Sequence, residues 1–228
     1  MSTTSHQHTV KSFDMELRRL ADEIAALGDA ALEQVEASLR ALESREAALA
    51  RRVIDGDDAI DIREREIGHE ALRLLALRQP TARDLREVLA AIRIASDIER
   101  IADHAVAIAR LSLAMPAAAD ALPEALRALG VLTCDIVREV LRAGRTSDAA
   151  LAHAAWRRDD DLDRMHALLF HDMLERMREA PAEAAWCTHL LFVAKNLERI
   201  GDHATNIAEN VWFVVEGEPG LGAHAGVR

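Results

Sequence analysis

One eight-residue block occurs twice. Ile98-Glu99-Arg100-Ile101-Ala102-Asp103-His104-Ala105 is matched by Leu197-Glu198-Arg199-Ile200-Gly201-Asp202-His203-Ala204, a shift of 99. Upstream, Asp57-Asp58-Ala59-Ile60-Asp61 is matched by Asp159-Asp160-Asp161-Leu162-Asp163 at a shift of 102, and Gln79-Pro80 by Ala180-Pro181. Three blocks in the same order mean that the second half of the chain repeats the first, and small changes of shift are what loop insertions produce. The fold must therefore be two copies of one unit.

The unit reads as helical. Leu17, Leu20, Ile24, Leu27, Ala31, Val35, Leu39 and Leu42 recur at spacings of three and four, one buried stripe of a long amphipathic helix. Asp55-Gly56 marks a break, and a second helix is expected over about 57–77 with Ile60, Ile67, Ala71 and Leu74 inward. Pro80 punctuates the chain, Thr81 and Asp84 resemble a capping box, and a third helix runs to about Met115. The stretch from Met115-Pro116 to Leu122-Pro123 reads as the linker. The cycle then restarts. One helix is expected from Pro123 to Ala143, ended by Gly144; one from an N-cap at Ser147 to Glu179; and one from Pro181 to about Val215. The expected class is all-α: two tandem three-helix bundles related by an internal repeat, over residues 13–115 and 120–215, with a flexible Gly-rich tail at 216–228.

Composition agrees. Only 3% of residues are aromatic, none is tyrosine, and Ala, Leu, Glu and Arg dominate, all strong helix formers. The formal net charge of −11 and the lack of any long Lys/Arg run argue against a nucleic-acid partner. Cys134 and Cys187 have no CxxC spacing, so neither a zinc site nor a disulfide framework is expected. The first ten residues lack the apolar core of a signal peptide, and no apolar run approaches the roughly 18 residues that span a bilayer. A cytoplasmic protein without membrane insertion is expected.

Helix direction sorts the third helix of each unit. Ile94, Ile98, Ile101, Ala105 and Ile108 make the core stripe, as do Val193, Leu197, Ile200, Ala204 and Ile207. Arg86, Arg93, Asp97, Arg100 and His104 fall on the far side and read as solvent-facing, His104 and His203 as surface or partner contacts, and Arg100 and Arg199 as surface salt-bridge or partner residues. Between the two faces lie Glu99 and Asp103, and in the second unit Glu198, Asp202, Asn206 and Glu209. Carboxylates at i and i+4 repel unless a cation or donor stands between them. The middle helices add Asp57, Asp61 and Glu64, and Asp159, Asp163 and His166. Oxygen donors without thiolates suit hard cations such as Mg, Mn, Ca or Fe. The plainer alternative is that these are solvated faces of acidic helices.

These residues resemble the PhoU family of phosphate-transport accessory proteins over about residues 13–215. The specific parts are Arg52-Val53-Ile54-Asp55-Gly56-Asp57, the run from Arg78-Gln79-Pro80 to Arg86, and the doubled Glu-Arg-Ile-x-Asp blocks. The resemblance implies paired three-helix bundles and a homodimer. It implies E(D)xxxD motifs, here Glu99 with Asp103 and Glu198 with Asp202, that bind divalent or iron-type metal clusters (Fe, Mn, Mg or Zn) with no organic cofactor. It further implies negative regulation of phosphate uptake and the phosphate-starvation response, through the ATPase subunit of a phosphate ABC transporter and a sensor histidine kinase. The first unit departs from the pattern: Ala107 and Arg110 stand where the second has Asn206 and Glu209, so fewer metals are expected there.

An enzyme is the competing class. A di-iron carboxylate bundle needs Glu-x-x-His on two helices. Glu66 and His69 fit that spacing once, and the second unit has no equivalent. No GxxxxGK[ST] loop is present. A metal-free helical adaptor is the third reading.

Overall fold

The computed structural model describes residues 3–78, 82–115, 121–218 and 221. It is helical throughout: α1 (Thr3–Ser44), α2 (Ala47–Asp55), α3 (Asp57–Arg78), α4 (Ala82–Ala114), α5 (Glu124–Thr146), α6 (Ala149–Arg157), α7 (Asp159–Glu179) and α8 (Ala184–Glu216), with a 3₁₀ turn at Pro181–Glu183 before α8. The expected capping residue Thr81, most of the expected linker and most of the tail lie outside the described residues.

Among the described residues each half contributes four α-helices rather than the expected three. The expected first helix is broken at Arg45 into α1 and α2, and the helix expected over 147–179 is broken at Arg158 into α6 and α7. Arg45 (φ 56°) and Ser147 (φ 49°), which follow α1 and α5, both lie in the left-handed region that halts an α-helix. Ser147 therefore ends α5 instead of capping the next helix. That cap is Asp148, whose carboxylate accepts from the Leu151 amide at 2.9 Å. Gly144, read as the helix terminator, lies inside α5. Arg45 and Ser147 are 102 residues apart, as are the starts of α2 and α6 and of α3 and α7.

Most of the stripes that periodicity indicates are buried, while Leu17, Ile24 and Leu39 of α1 and Ile94 of α4 are half-buried against the core. Ile60, Ile67, Ala71 and Leu74 of α3 and Ile98, Ile101, Ala105 and Ile108 of α4 are all buried, as are Leu197, Ile200, Ala204 and Ile207 of α8. The two halves share one core. Helix α4 packs along α1 and α8, and α5 lies against both α1 and α8. Where α1 meets α5, glycine admits the approach. A Cβ on Gly28 would stand 2.5 Å from the Leu141 side chain, and one on its counterpart Gly130 would stand 3.1 Å from Leu39. Among the described residues no helix is long and apolar enough to cross a membrane.

Candidate functional site

The acidic residues of neighbouring helices gather into two clusters. In the first half α3 brings Asp57, Asp61 and Glu64 toward Glu99 and Asp103 of α4. Burial raises the pKa of Glu99, and Asp103, Asp61 and Glu64 raise it further against the lowering effect of Arg100. Asp57 is likewise raised by burial and then by Asp103 and Asp61, while Arg110 pulls it down. Arg110 thus enters the first cluster as the cation that its position foretold.

In the second half α7 brings Asp159 and Asp163 toward Glu198 and Asp202 of α8. Asp159 is pushed up to about 6 from its ordinary 3.8, first by burial and then by Asp163, Asp202, Asp160 and Glu198. Its Oδ1 is buried with no hydrogen-bond partner among the described residues. The close approach depends on Gly201, where a Cβ would run into the Leu162 side chain and stand 3.1 Å from Asp159 Oδ1. The first half carries Ala102 at that position.

Basic side chains of the same helices partly neutralise the clusters. Arg100 pairs with Glu99 (3.4 Å) and Asp103 (3.1 Å), Lys195 with Glu198 (2.6 Å), and Arg199 with Asp202 (3.3 Å). Among the described residues no three His, Cys, Asp or Glu side chains are arranged to hold a metal ion as they stand. Glu66 and His69 are both exposed on α3. Asn206 stands apart from the second cluster, because its Nδ2 donates to Asp97 Oδ1 at 3.2 Å. Glu209, two turns on from Asp202, is half-buried.

Asp97, His104 and His203 do not face solvent. A single helical wheel gives α4 an outer side, but α8 packs there. His104 Nδ1 donates to Asn196 Oδ1 and His203 Nδ1 to Asp97 Oδ1, each at 2.9 Å, and the rings stack with centroids 5.7 Å apart. An amide or carboxylate oxygen can only accept, so each Nδ1 carries a proton. Burial lowers the His104 pKa, against the opposing effect of the Asn196 bond. Asp97 and Asn196 are repeat partners at the shift of 99, each seven residues before a histidine. Sequence reasoning missed this double clasp, although the recurrence of polar residues two turns apart was its signal.

Asp159 has a pH consequence. Its folded pKa lies above its unfolded one, so the native state holds the extra proton between about 3.8 and 6, and stability falls as pH rises through that window. Asp159→Asn in metal-free protein should raise stability at neutral pH by about 1–2 kcal/mol, discounted for the half of the group that meets water. That corresponds to roughly 2–8 °C in Tm. Thermal melts across pH check it: the gain should fade by pH 4, where aspartate and asparagine are both neutral.

The chain matches the family model described as "PhoU domain" twice, over residues 24–112 and 126–211. It is 47% identical over 220 residues to "Phosphate-specific transport system accessory protein PhoU homolog" of Xylella fastidiosa (strain 9a5c), covering 96% of this chain and 92% of that one. A protein of the same name from Caulobacter vibrioides (strain NA1000 / CB15N) is 42% identical over 93% of each chain. Among solved structures, PhoU from Pseudomonas aeruginosa superposes with a TM-score of 0.87 at 33% identity, over 90% of this chain and 100% of that one. The phosphate transport system regulatory protein PhoU from Streptococcus pneumoniae gives 0.85 at 29% identity, over 91% and 99%. These relatives bear the names of accessory and regulatory proteins, not of enzymes.

Proposed function

The chain belongs to the PhoU family, and on that premise we propose that it is a cytoplasmic, homodimeric negative regulator of phosphate uptake and of the phosphate-starvation response. It acts by binding the ATPase subunit of a phosphate ABC transporter and a sensor histidine kinase. The observation that carries this reading is the match of both halves to the family model, together with near full-length likeness to proteins named as phosphate-transport accessories. A net charge of −11 gives it surfaces complementary to basic faces on such partners, where charge governs encounter and specificity.

Each acidic cluster would hold hard cations. Asp57, Asp61, Glu99 and Asp103 would supply one set of oxygens, and Asp159, Asp163, Glu198 and Asp202 the other, with Glu209 in reserve. The unpartnered Oδ1 of Asp159 and the mutually raised carboxylates fit a bound cation. Bound metal would supply the positive charge that Arg100, Lys195 and Arg199 now supply in part. A second reading, a metal-free adaptor, draws on those same ion pairs.

Co-purification tests the partnership. The tagged transporter ATPase and the kinase should each retain this protein at low salt, and release most of it near 1 M salt, where screening reaches within about 3 Å. Retention of neither would end the proposal of these two partners.

A further inference from the structure

Aromatic side chains are scarce in this chain, 3% of its residues, yet three rings meet where α6 packs on α8. The His153 ring lies 6.3 Å from that of Trp156 and 5.8 Å from that of Trp212, centroid to centroid. His153 is exposed and both indoles are half-buried. The repeat shows that the fold does not need these indoles. At the shift of 102 Trp156 corresponds to Ile54, and at 99 Trp212 corresponds to Leu113. Aliphatic side chains fill both positions in the first half, so packing does not account for the aromatic character of the second.

Charge sets the two surfaces apart as well. Glu209 stands one turn before Trp212 and Glu216 one turn after it, and side chains at those spacings are neighbours on a helix. Neither carboxylate has a cationic partner among the described residues. The corresponding residues of the first half are Arg110 and Ala117. The Arg86 guanidinium lies against Gly217 but pairs with neither glutamate. Arg157 is exposed beside Trp156 and opposes a cation, and Asp160, exposed one turn on, offsets it. Among the described residues no cation lies over the ring of Trp156 or Trp212, whereas the third indole, the buried Trp186, has the Arg176 guanidinium 4.5 Å from its centroid. Tryptophan is the best ring for such a contact and arginine its more frequent cation.

We propose that Trp156 and Trp212, with Glu209 and Glu216, form a docking surface for an arginine-bearing segment of a partner protein. The guanidinium stacks on an indole and meets a glutamate at its rim, and tryptophan and arginine are the side chains on which protein interfaces most depend. This goes beyond the proposed transporter and kinase partnership, because it names a surface and a side chain whichever protein supplies them.

The indole N–H signals in nuclear magnetic resonance spectra of the full-length protein test it. Titration with a blocked Gly-Arg-Gly-Arg-Gly peptide should shift the Trp156 and Trp212 signals saturably and leave that of Trp186 in place. The same peptide with lysine for arginine should bind more weakly. Trp156→Ile with Trp212→Leu, which copies the first half, should weaken the arginine peptide roughly tenfold by calorimetry while keeping the helical signal; if that pair fails to fold, either single substitution serves, with a loss of roughly threefold. Glu216→Gln should cost roughly threefold. No saturable shift, a Trp186 shift as large as the other two, equal or tighter binding of the lysine peptide, or indifference to the tryptophan substitutions would each overturn the proposal. So would phosphatidylcholine vesicles that move the two signals where the peptide does not, since the indoles would then be a membrane anchor.

Discussion

Alanine at both Glu198 and Asp202 will weaken the binding of manganese or iron by more than about a hundredfold, since even outer-shell partners are worth ten- to a hundredfold. Alanine at Glu99 and Asp103 will cost less. The asymmetry follows from the residues around each pair. Arg110 acts on the first cluster and opposes a cation there, partly offsetting the rise that burial, Asp103 and Asp61 impose on the Asp57 pKa. In the second, Gly201 lets α7 approach so closely that Asp159 Oδ1 is buried without a partner among the described residues, and no arginine corresponds to Arg110 because that position is Glu209. Metal content and titration of protein purified without an affinity tag will decide it. Equal losses from the two pairs would refute the asymmetry, and a wild type that binds no divalent or ferric metal would remove both sites.

The core was legible from spacing alone, because a three-four recurrence leaves one face for burial and the repeat states the pattern twice. The inner residues of α3 and the stripes of α4 and α8 are where that spacing puts them, except Ile94, which is half-buried. The boundary near Ser147 was legible to within a few residues, whereas the breaks at Arg45 and Arg158 were not. Nothing in an arginine announces a left-handed φ, and Gly144 offered a false terminator inside α5. Directions on a single helix placed Glu99 and Asp103 correctly between core and arginine faces. They misplaced His104 and Asp97, because what lies beyond a helix is decided by the helix packed on it. Arg100 and Arg199 do form surface ion pairs, as their outward direction suggests; which carboxylates they meet, and the pairing of Lys195, depend on rotamers of long side chains, which spacing alone does not determine.

Deleting this protein should switch phosphate-starvation genes on while phosphate is plentiful, the largest change expected of any alteration to it. A brake that couples transporter to kinase fails by releasing the kinase, so its loss should mimic starvation. The helical scaffold alone should not rescue the defect. A chain with alanine at Glu99, Asp103, Glu198 and Asp202 has lost the residues proposed to hold metal, and should fold yet fail to restore repression. The most direct measurement is a starvation-promoter reporter read in high phosphate with the gene present, deleted and restored. Strong output on deletion, silenced by the wild-type gene, is the predicted result; output as low in the deletion strain as in its parent, with no second copy of the gene present, would contradict it.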